Sequence, residues 1–589
     1  MATTSPTPLV QLLFRSYAAG MNSAAEPSSI LRDDEVGLIV NGTVRNGYIR
    51  TRPGWHEVGL SFTDMTSQYI FEQGVFQGMG FFMNGALRYY AVSVDGWLFF
   101  ININTGETVR SGSQCFSKYS HHVWFQQCNR WLIVQDGESP PVVIDGFTLS
   151  QVVVPQGVPA GTIMADGWHR LAVVTPDRQR IYMSDHENNP TTTPISFTEQ
   201  NLYYGNAPWF EGPPSMGKIM GVTFVPYQDS STGIGPMVVF FERGVRAYNI
   251  AVPRTQWTTV DITQTLLPQT GSSSFFSYTD RGSDIMFRDH DGRIRSVRNA
   301  QQTYLNSGYN MPNDSQIWSI LQYEDATLRP FSRACTFDSR CLFTIFPRRR
   351  LRPDGRWAVF HDGLAVLENT HFAKDRDNVW AIWTGLPICG MATGVIGGEN
   401  TLVAFSCGTD GKNRLHRLTR NESQDTVNTA TNGPITRAIE MKVSTGFRDF
   451  GNIAVPKRFT AGGMRISNIV GDLSIKAEWQ EKEIIKPWFT HNETHDDLLQ
   501  TADCGLFSPT AVTNPSLIVP TPVDEVNRFF KANLHLSVTG CCTLEEMVMN
   551  AEVLDMAVTK NTRATPEPAA PPKTSCQPDL FSYDLTDNP

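Results

Sequence analysis

The chain has 589 residues, with 49 Lys and Arg, 58 Asp and Glu, and a formal net charge of −9. This mild charge gives no sign of a surface that coats nucleic acid, which would need clustered Lys and Arg. No apolar run approaches the ~18 residues that a membrane span needs. Only 18% of the residues are charged, and 46 Gly and 36 Pro accompany 11% aromatic residues, a mix typical of all-β chains with many turns.

The ten cysteines are scattered and include no C-x-x-C pair. They predict free buried thiols in a protein assembled in a reducing cytoplasm. The N-terminus also argues against secretion, because it lacks a basic region and its apolar stretch, Leu9 to Phe14, is short.

The segment from Gly20 to Trp55 is rich in turn residues. After Pro27, the run from Ser28 to Glu35 could form a helical turn, and a short apolar strand follows. Asn-Gly pairs at 41–42 and 46–47 favour tight hairpins, and the segment ends in Arg-Pro-Gly-Trp. Nothing in it suits catalysis.

The order Gly-Met-Asn, Pro, Asn, Gly and Arg-Pro-Gly in this segment resembles the start of a family of tailed-bacteriophage tail proteins. These are the β-propeller nozzle proteins, also called tail tubular protein B, and related propellers of the distal tail. The resemblance implies a structural role.

Short alternating segments dominate from about Gln77 to Leu418, which predicts antiparallel strands. Within this region a strand repeatedly enters a tight turn and a second strand leaves it. The turns are Asp95-Gly96, Asp145-Gly146, Arg243-Gly244, Asp291-Gly292, Asp362-Gly363 and Asp410-Gly411, with a weaker one at Asp177. Blades of roughly 40 to 50 residues would give a β-propeller of six or seven irregular blades. A pair of β-sandwiches is the alternative. WD, kelch and sialidase signatures are absent.

The unit from Asp284 to Leu321 contains a strand, the run DGRIRS, a helical patch around Gln301 and a short final helix. Asn313, Asp314 or Ser315 could cap that helix. This order is similar to a blade insertion of the phage nozzle propellers.

Longer alternating strands follow a polar linker after Arg420. They predict an additional β-sandwich or platform domain, and its segment from Ile435 to Phe459 resembles the region that follows the propeller in phage tail proteins. We therefore expect an N-terminal arm with the first strands at 1–55, the propeller at 56–425 and the platform domain at 433–560. The Pro-rich residues 561–589 are expected to form a flexible tail.

Three segments could carry chemistry, and each has a plainer interpretation. His491 and His495, four apart and followed by Asp496 and Asp497, could share a helical face as metal ligands, but a solvated loop is favoured. His121 and His122 point to opposite faces of a strand, which favours an ordinary blade position. The basic run Arg348 to Arg352 could contact phosphate, but a solvated hairpin tip is favoured.

No nucleophile motif and no phosphate-binding loop is present. Acidic residues are plentiful, so inspection does not exclude a glycosidase pair, but nothing singles one out. We assign no catalytic, cofactor-binding or metal-binding residue, expect no cofactor and predict a protein that is not an enzyme.

The family resemblance implies a ring of identical subunits, often a hexamer, around a channel through which genomic DNA passes as cargo. It implies contacts with other tail proteins, such as the adaptor or tube and the fibres. The expected location is the tail of the virion, after assembly in the host cytoplasm. The alternative is a receptor- or glycan-binding, or glycan-degrading, propeller of the same tail. A cellular scaffold propeller is a more distant one.

Overall fold

The computed structural model describes most of the chain. The described residues are 9–23, 31–85, 87–145, 151–152, 158–185, 195–197, 209–225, 235–251, 254–257, 262–282, 284–307, 311–352, 354–368, 378–408, 410–419, 423–429, 433–451, 454–481, 483–493, 516–519 and 528–554. The predicted flexible tail, 561–589, lies outside them. The described part is all-β, as predicted, with a few short helices, none of them long and apolar enough to cross a membrane.

Seven short strands begin the chain. They are β1 (Leu9–Phe14), β2 (Gly20–Met21), β3 (Glu35–Val36), β4 (Leu38–Val40), β5 (Gly42–Arg45), β6 (Tyr48–Thr51) and β7 (Gly54–Glu57). β5 and β6 form a hairpin at Asn46-Gly47, where both residues have positive φ, as a tight two-residue turn requires. A hairpin at Asn41-Gly42 is wrong, because β4 pairs with β31 and β36 instead of β5.

The first blade of the propeller follows strand β8 (Ser61–Phe62) and helix α1 (Met65–Gln73). Asp64 caps α1 by accepting a hydrogen bond of 2.7 Å from the backbone N–H of Ser67. The blade is an antiparallel meander, with β8 added in parallel to its outer strand. Its strands are β9 (Phe76–Asn84), β10 (Leu87–Val94), β11 (Trp97–Ile101) and β12 (Glu107–Arg110).

The next three blades are four-stranded antiparallel meanders of the same kind. Blade 2 has β13 (Trp124–Cys128), β14 (Trp131–Gln135), β15 (Val142–Asp145) and β16 (Gln151–Val152). Blade 3 has β17 (Met164–Gly167), β18 (Arg170–Val174), β19 (Arg180–Met183) and β20 (Trp209–Glu211). Blade 4 has β21 (Ile219–Phe224), β22 (Met237–Phe241), β23 (Gly244–Tyr248) and β24 (Thr263–Pro268), with 3₁₀ turns at Pro214–Met216 and Arg254–Gln256.

Blade 5 has three strands in the described residues, β25 (Tyr278–Arg281), β26 (Asp284–Arg288) and β27 (Ile294–Ser296). Helices α2 (Val297–Ser307) and α3 (Trp318–Leu321) and a 3₁₀ segment (Ala326–Phe331) follow. The predicted side-chain cap of α3 is wrong. Ile317 holds the cap position, while Asp314 accepts hydrogen bonds from Arg293 and from the Ile294 backbone instead.

Blades 6 and 7 share one long strand. Blade 6 has β28 (Ala334–Phe337), β29 (Arg340–Leu351), β30 (Trp357–Glu368) and the first part of β31 (Val379–Ile396). Blade 7 has the rest of β31, β32 (Glu399–Cys407) and β33 (Asn413–Thr419), and its outer strand is β7. The turn predicted at Asp362-Gly363 is wrong. These residues lie inside β30, where the pairing with β31 shifts register at a bulge.

The seven blades close into a ring. Inner strands β9, β13, β17 and β21 lie against one another in sequence, as do β25, β28, β31 and again β9. The Tyr278 hydroxyl of β25 donates a hydrogen bond of 3.1 Å to the carbonyl of Val222 in β21. This bond connects blade 5 to blade 4 and so completes the ring. Gly390 and Gly394 let blades 1 and 7 approach closely, because a Cβ there would meet the rings of Phe76 and Phe81.

The remaining strands form a sheet that continues from blade 6. They are β34 (Gln424–Thr429), β35 (Gly433–Ala438), β36 (Glu440–Ser444), β37 (Lys457–Glu481), β38 (Ile484–Glu493), β39 (Ser516–Val519), β40 (Arg528–Phe529) and β41 (Asn533–Val553). β37 and β41 pair along most of their length. The N-terminal strands join this sheet, since β1 and β6 pair with β41 and β4 pairs with β36.

Candidate functional site

The two histidines considered as possible metal ligands, His491 and His495, do not share a helical face in the described residues. His491 lies in strand β38, so the helical spacing on which the ligand pair depends is not there, and His495 to Asp497 lie outside the described residues. In the described part of the chain, no three His, Cys, Asp or Glu side chains come together to hold a metal ion. The eight cysteines described are free thiols.

The inner strands of the propeller all begin at the same face, and we call the centre of that face the mouth. Residues at or next to these strand starts converge there, and they include Phe76, Trp124, Phe276, Arg333 and Cys389. A propeller brings such residues together although they are far apart in sequence, because every blade enters the ring from the same side.

An aromatic cluster narrows the mouth. The His122 ring lies 5.2 Å, between centroids, from both Phe275 and Phe331, and 5.8 Å from Trp124. Trp124 also stacks on Phe276 at 6.1 Å. We call His122, Trp124, Phe275, Phe276 and Phe331 the mouth cluster. His121 is exposed while His122 is partly buried, as expected of neighbours on an extended segment.

Arg333 crosses the mouth beneath this cluster. Its guanidinium lies 4.3 Å from the ring centroid of Phe276 and 5.1 Å from that of Phe76. Its Nε donates to the Cys389 carbonyl at 3.0 Å. Only 7% of Arg333 is exposed, and among the described residues no carboxylate lies within ion-pairing distance of it. Burial lowers the Arg333 pKa to about 10.

Two other groups at the mouth, Arg178 and His122, are basic. Arg178 lies 5.2 Å from the Phe275 ring centroid. Burial, reinforced by Arg333, His121 and Arg178, lowers the His122 pKa to about 3. His122 is therefore uncharged at neutral pH. Its buried Nδ1 and the buried indole Nε1 of Trp124 have no hydrogen-bond partner among the described residues.

An arm lies across this face of the propeller. It comprises residues 346–352 and 354–362, the parts of β29 and β30 that extend past blade 6. Arg350 and Arg352 donate to the carbonyls of Gly408 and Gly411 in blade 7. Arg356 reaches blade 1, where it contacts Asp95 at 2.8 Å. The predicted solvated tip is therefore wrong for Arg350 and Arg352, whose donors bond to another blade.

The outer side of the arm faces solvent. Leu351 and Trp357 pair across the two strands and are 55% and 51% exposed. The Arg349 guanidinium lies 4.8 Å from the Trp357 ring centroid. This face presents apolar and aromatic surface beside a positive charge.

A second group of buried arginines lies at the junction, our name for the contact between the N-terminal strands and blades 6 and 7. Arg52 is fully buried and donates to both carboxylate oxygens of Asp425, at 2.9 and 2.7 Å. It also donates to Asn41 Oδ1 at 3.1 Å and to the Thr384 carbonyl at 3.1 Å. Asn41 has a positive φ, and its Oδ1 also accepts a hydrogen bond of 2.8 Å from the Thr384 backbone N–H.

The junction contains a second ion pair between Arg340 and Glu368. Arg340 Nε lies 2.8 Å from Glu368 Oε1, and both side chains are at least 97% buried. The Thr43 hydroxyl of β5 also donates to Glu368. Every charge in this pair is met by a partner of the same chain, which offsets the cost of burying it.

Reasoning from the sequence missed Arg333. It lies in the unremarkable run Phe-Ser-Arg-Ala-Cys, with no motif around it. Its one signal is its position just before an inner strand, and that signal becomes readable only when the blades have been assigned.

Comparisons with known proteins assign no family. No family model and no curated protein matches the chain. Solved structures that resemble it include the mitotic checkpoint complex (10% identity, 64% of this chain and 94% of that chain, TM-score 0.33). Two others are BamB from Moraxella catarrhalis (14%, 58% and 85%, TM-score 0.29) and the Cps50 (Swd1) β-propeller domain from Myceliophteria thermophila (13%, 59% and 97%, TM-score 0.34). At these TM-scores the likeness adds nothing to the blade assignment, which rests on the strand pairings.

Proposed function

We propose that this protein is a structural component of the tail of a tailed bacteriophage, where it forms part of a nozzle-like ring around the DNA exit channel. The residues that resemble the nozzle family are the starting point. The segment from Gly20 to Trp55 contains turns and short strands that suit assembly and not catalysis.

The observation that carries the proposal is the position of this segment. Its last strand, β7, completes blade 7 by pairing with β33. Its other strands, β4 and β6, pair with β36 and β41 of the C-terminal sheet. One short segment thus fastens the propeller to the sheet beside it, and a closed ring of blades leaves few free strand edges. Such a stiff unit suits a part that bears load.

The closed mouth limits the path that DNA could take. Because the mouth cluster and Arg333 occupy the propeller axis, duplex DNA would pass through the centre of a ring of subunits and not through a single propeller. A ring of identical copies needs two different surfaces that meet by rotation. In this proposal the copies form a homo-oligomer, a hexamer by family resemblance, that contacts the adaptor or tube and the fibres.

Negative-stain electron microscopy of the purified full chain tests the ring. The proposal expects closed rings with a central opening wide enough for duplex DNA. Labelling tail particles with an antibody raised against the chain then tests the location, and label is expected on the tail axis near its distal end. Monomers at all concentrations together with unlabelled tails would contradict the proposal.

The exposed face of the arm supports a second candidate, a receptor- or glycan-binding propeller of the same tail. Trp357 is half-exposed beside Leu351 and Arg349, and exposed indole rings stack on sugars. A glycan-array screen with the wild-type chain and with Trp357→Ala tests this candidate. Binding that the substitution abolishes supports it, and no binding to any surface glycan ends it.

A further inference from the structure

A buried arginine without a carboxylate partner is unusual, because an unpaired buried charge costs several kcal/mol. Arg333 uses Nε for the Cys389 carbonyl, and its two terminal nitrogens make no hydrogen bond with any described residue. The rings of Phe76 and Phe276 lie 5.1 and 4.3 Å from the guanidinium. They offer attraction to the cation but leave its N–H edge without an acceptor.

Two further buried donors or acceptors lie in the same cluster. Trp124 is only 8% exposed, yet its indole N–H has no acceptor in the part of the chain that the structure describes. Within that same part, the buried Nδ1 of His122 has no partner either. Native proteins leave few such atoms unsatisfied, so several at one place need an explanation. All of them lie within the mouth cluster or contact it.

We infer that the mouth of the propeller binds a carboxylate group, held by the terminal nitrogens of Arg333, with Trp124 Nε1 and His122 Nδ1 as further polar contacts. The planar fork of an arginine matches the two oxygens of a carboxylate. Arg178 adds a second positive charge at the mouth, and its guanidinium is not ion-paired with any carboxylate in the described part of the chain.

The aromatic walls favour a carboxylate over a phosphate. A carboxylate is planar and carries one charge, whereas a phosphate carries close to two at neutral pH and is more costly to bring between phenyl and indole rings. The carboxylate could belong to a small organic acid or to an Asp or Glu side chain of a protein partner. Both sources share the same chemistry at Arg333, and this inference does not depend on the proposed tail location.

Titration of the full chain with sodium acetate tests the inference. We expect acetate to raise the thermal unfolding midpoint with the logarithmic concentration dependence of ligand linkage, so that the folding equilibrium shifts about tenfold at ten times the Kd. Sodium chloride at matched ionic strength should not reproduce the shift, and sodium phosphate should act more weakly than acetate. A short peptide with blocked termini, whose only charged group is one Asp side chain, replaces acetate in a second arm. Tighter binding of that peptide indicates a protein partner, and equal binding indicates a small acid.

Arg333→Met is expected to abolish the acetate-dependent shift, and Arg333→Lys is expected to weaken it at least tenfold. Arg349→Met is the matched control, because Arg349 also stacks on an aromatic ring but lies on the exposed face of the arm. It should leave the acetate response unchanged. Circular dichroism confirms that each variant is folded before titration. An acetate response equal to that of chloride, or one retained in Arg333→Met, would overturn the inference.

Discussion

The junction and the mouth both bury arginines, but they treat the charge differently. At the junction, Arg52 meets Asp425 and Arg340 meets Glu368, each within 2.9 Å. At the mouth, Arg333 is almost as deeply buried and meets only a carbonyl and two rings. The difference suggests a division of roles. Paired charges fasten two parts of one chain, whereas the unpaired charge is available to a ligand from outside.

Acid should have the largest effect on stability. Burial, with help from neighbouring arginines, lowers the pKa of His122, His361 and His416 to about 3. Because the unfolded chain takes up protons below about pH 6.5, stability present at neutral pH is lost as the pH falls from there towards 3. We expect each histidine to cost about 2 kcal/mol of unfolding free energy between pH 7 and pH 5.

Urea unfolding at pH 7 and pH 5 measures this loss of unfolding free energy. The variant His122→Phe separates the contribution of the mouth histidine from that of the other two histidines. That variant should lose about 2 kcal/mol less than the wild type over the same range. Of the three histidines, only His122 belongs to the mouth cluster. Equal losses in both proteins would mean that the mouth does not hold His122 neutral.

Glu368→Gln should break the junction. It removes the more buried of the two carboxylates that pair with Arg340, the other being Asp338 at 2.6 Å, and we expect a loss of about 2 to 3 kcal/mol in the free energy of unfolding. Glu440→Gln is the control, because Glu440 pairs with Lys442 on the surface, where both side chains are about half-exposed and the expected loss is below about 1 kcal/mol. A loss as small in Glu368→Gln would show that this pair does not hold the two parts together.

Arg352→Ala should loosen the arm without unfolding the propeller. The side chain is buried and donates to Gly411 and Asn413, so its removal should cost about 1 to 3 kcal/mol. Hydrogen exchange is expected to accelerate in the arm and in the β32–β33 turn. Arg349→Ala, on the outer face, should leave exchange unchanged. Faster exchange in every blade would contradict a local role.

Arg333→Met should have the smallest effect. The variant loses one hydrogen bond and two ring contacts but no longer buries an unpaired charge, so the unfolding free energy in acetate-free buffer should change by less than about 1 kcal/mol. Arg340→Met, which leaves Glu368 with the longer ionic contact to Arg45 at 3.6 Å, is the comparison and should cost more than about 2 kcal/mol. Similar losses of unfolding free energy at both positions would show that the arginine of the mouth and the arginine of the junction stabilise the fold to the same extent.

Strand patterns and turns were readable from the sequence. The segments Leu87–Val94 and Trp131–Gln135 are strands β10 and β14 as predicted. Asp95-Gly96, Arg243-Gly244, Asp291-Gly292 and Asp410-Gly411 join the second and third strands of their blades, because local turn chemistry fixes a hairpin without help from the rest of the chain.

Long-range pairing was not readable. In the C-terminal region, where the sequence predicts longer alternating strands, residues 458–469 and 473–479 belong to one strand, β37, because bulges carry the strand pairing through the turn-like residues between them. The pairing of β6 with β41 joins residues about 490 positions apart, and no local pattern encodes such a register. Arg333 and Arg352 look like other arginines in the sequence, since burial of a charge depends on what the fold brings around it.

Electron cryo-microscopy of tail particles that contain the chain tests the central claim most directly. The account predicts copies of the propeller in a closed ring at the distal end of the tail, with the DNA channel between subunits and the mouth of each propeller closed. Density for single propellers on peripheral fibres, or DNA threaded through one propeller, would contradict it.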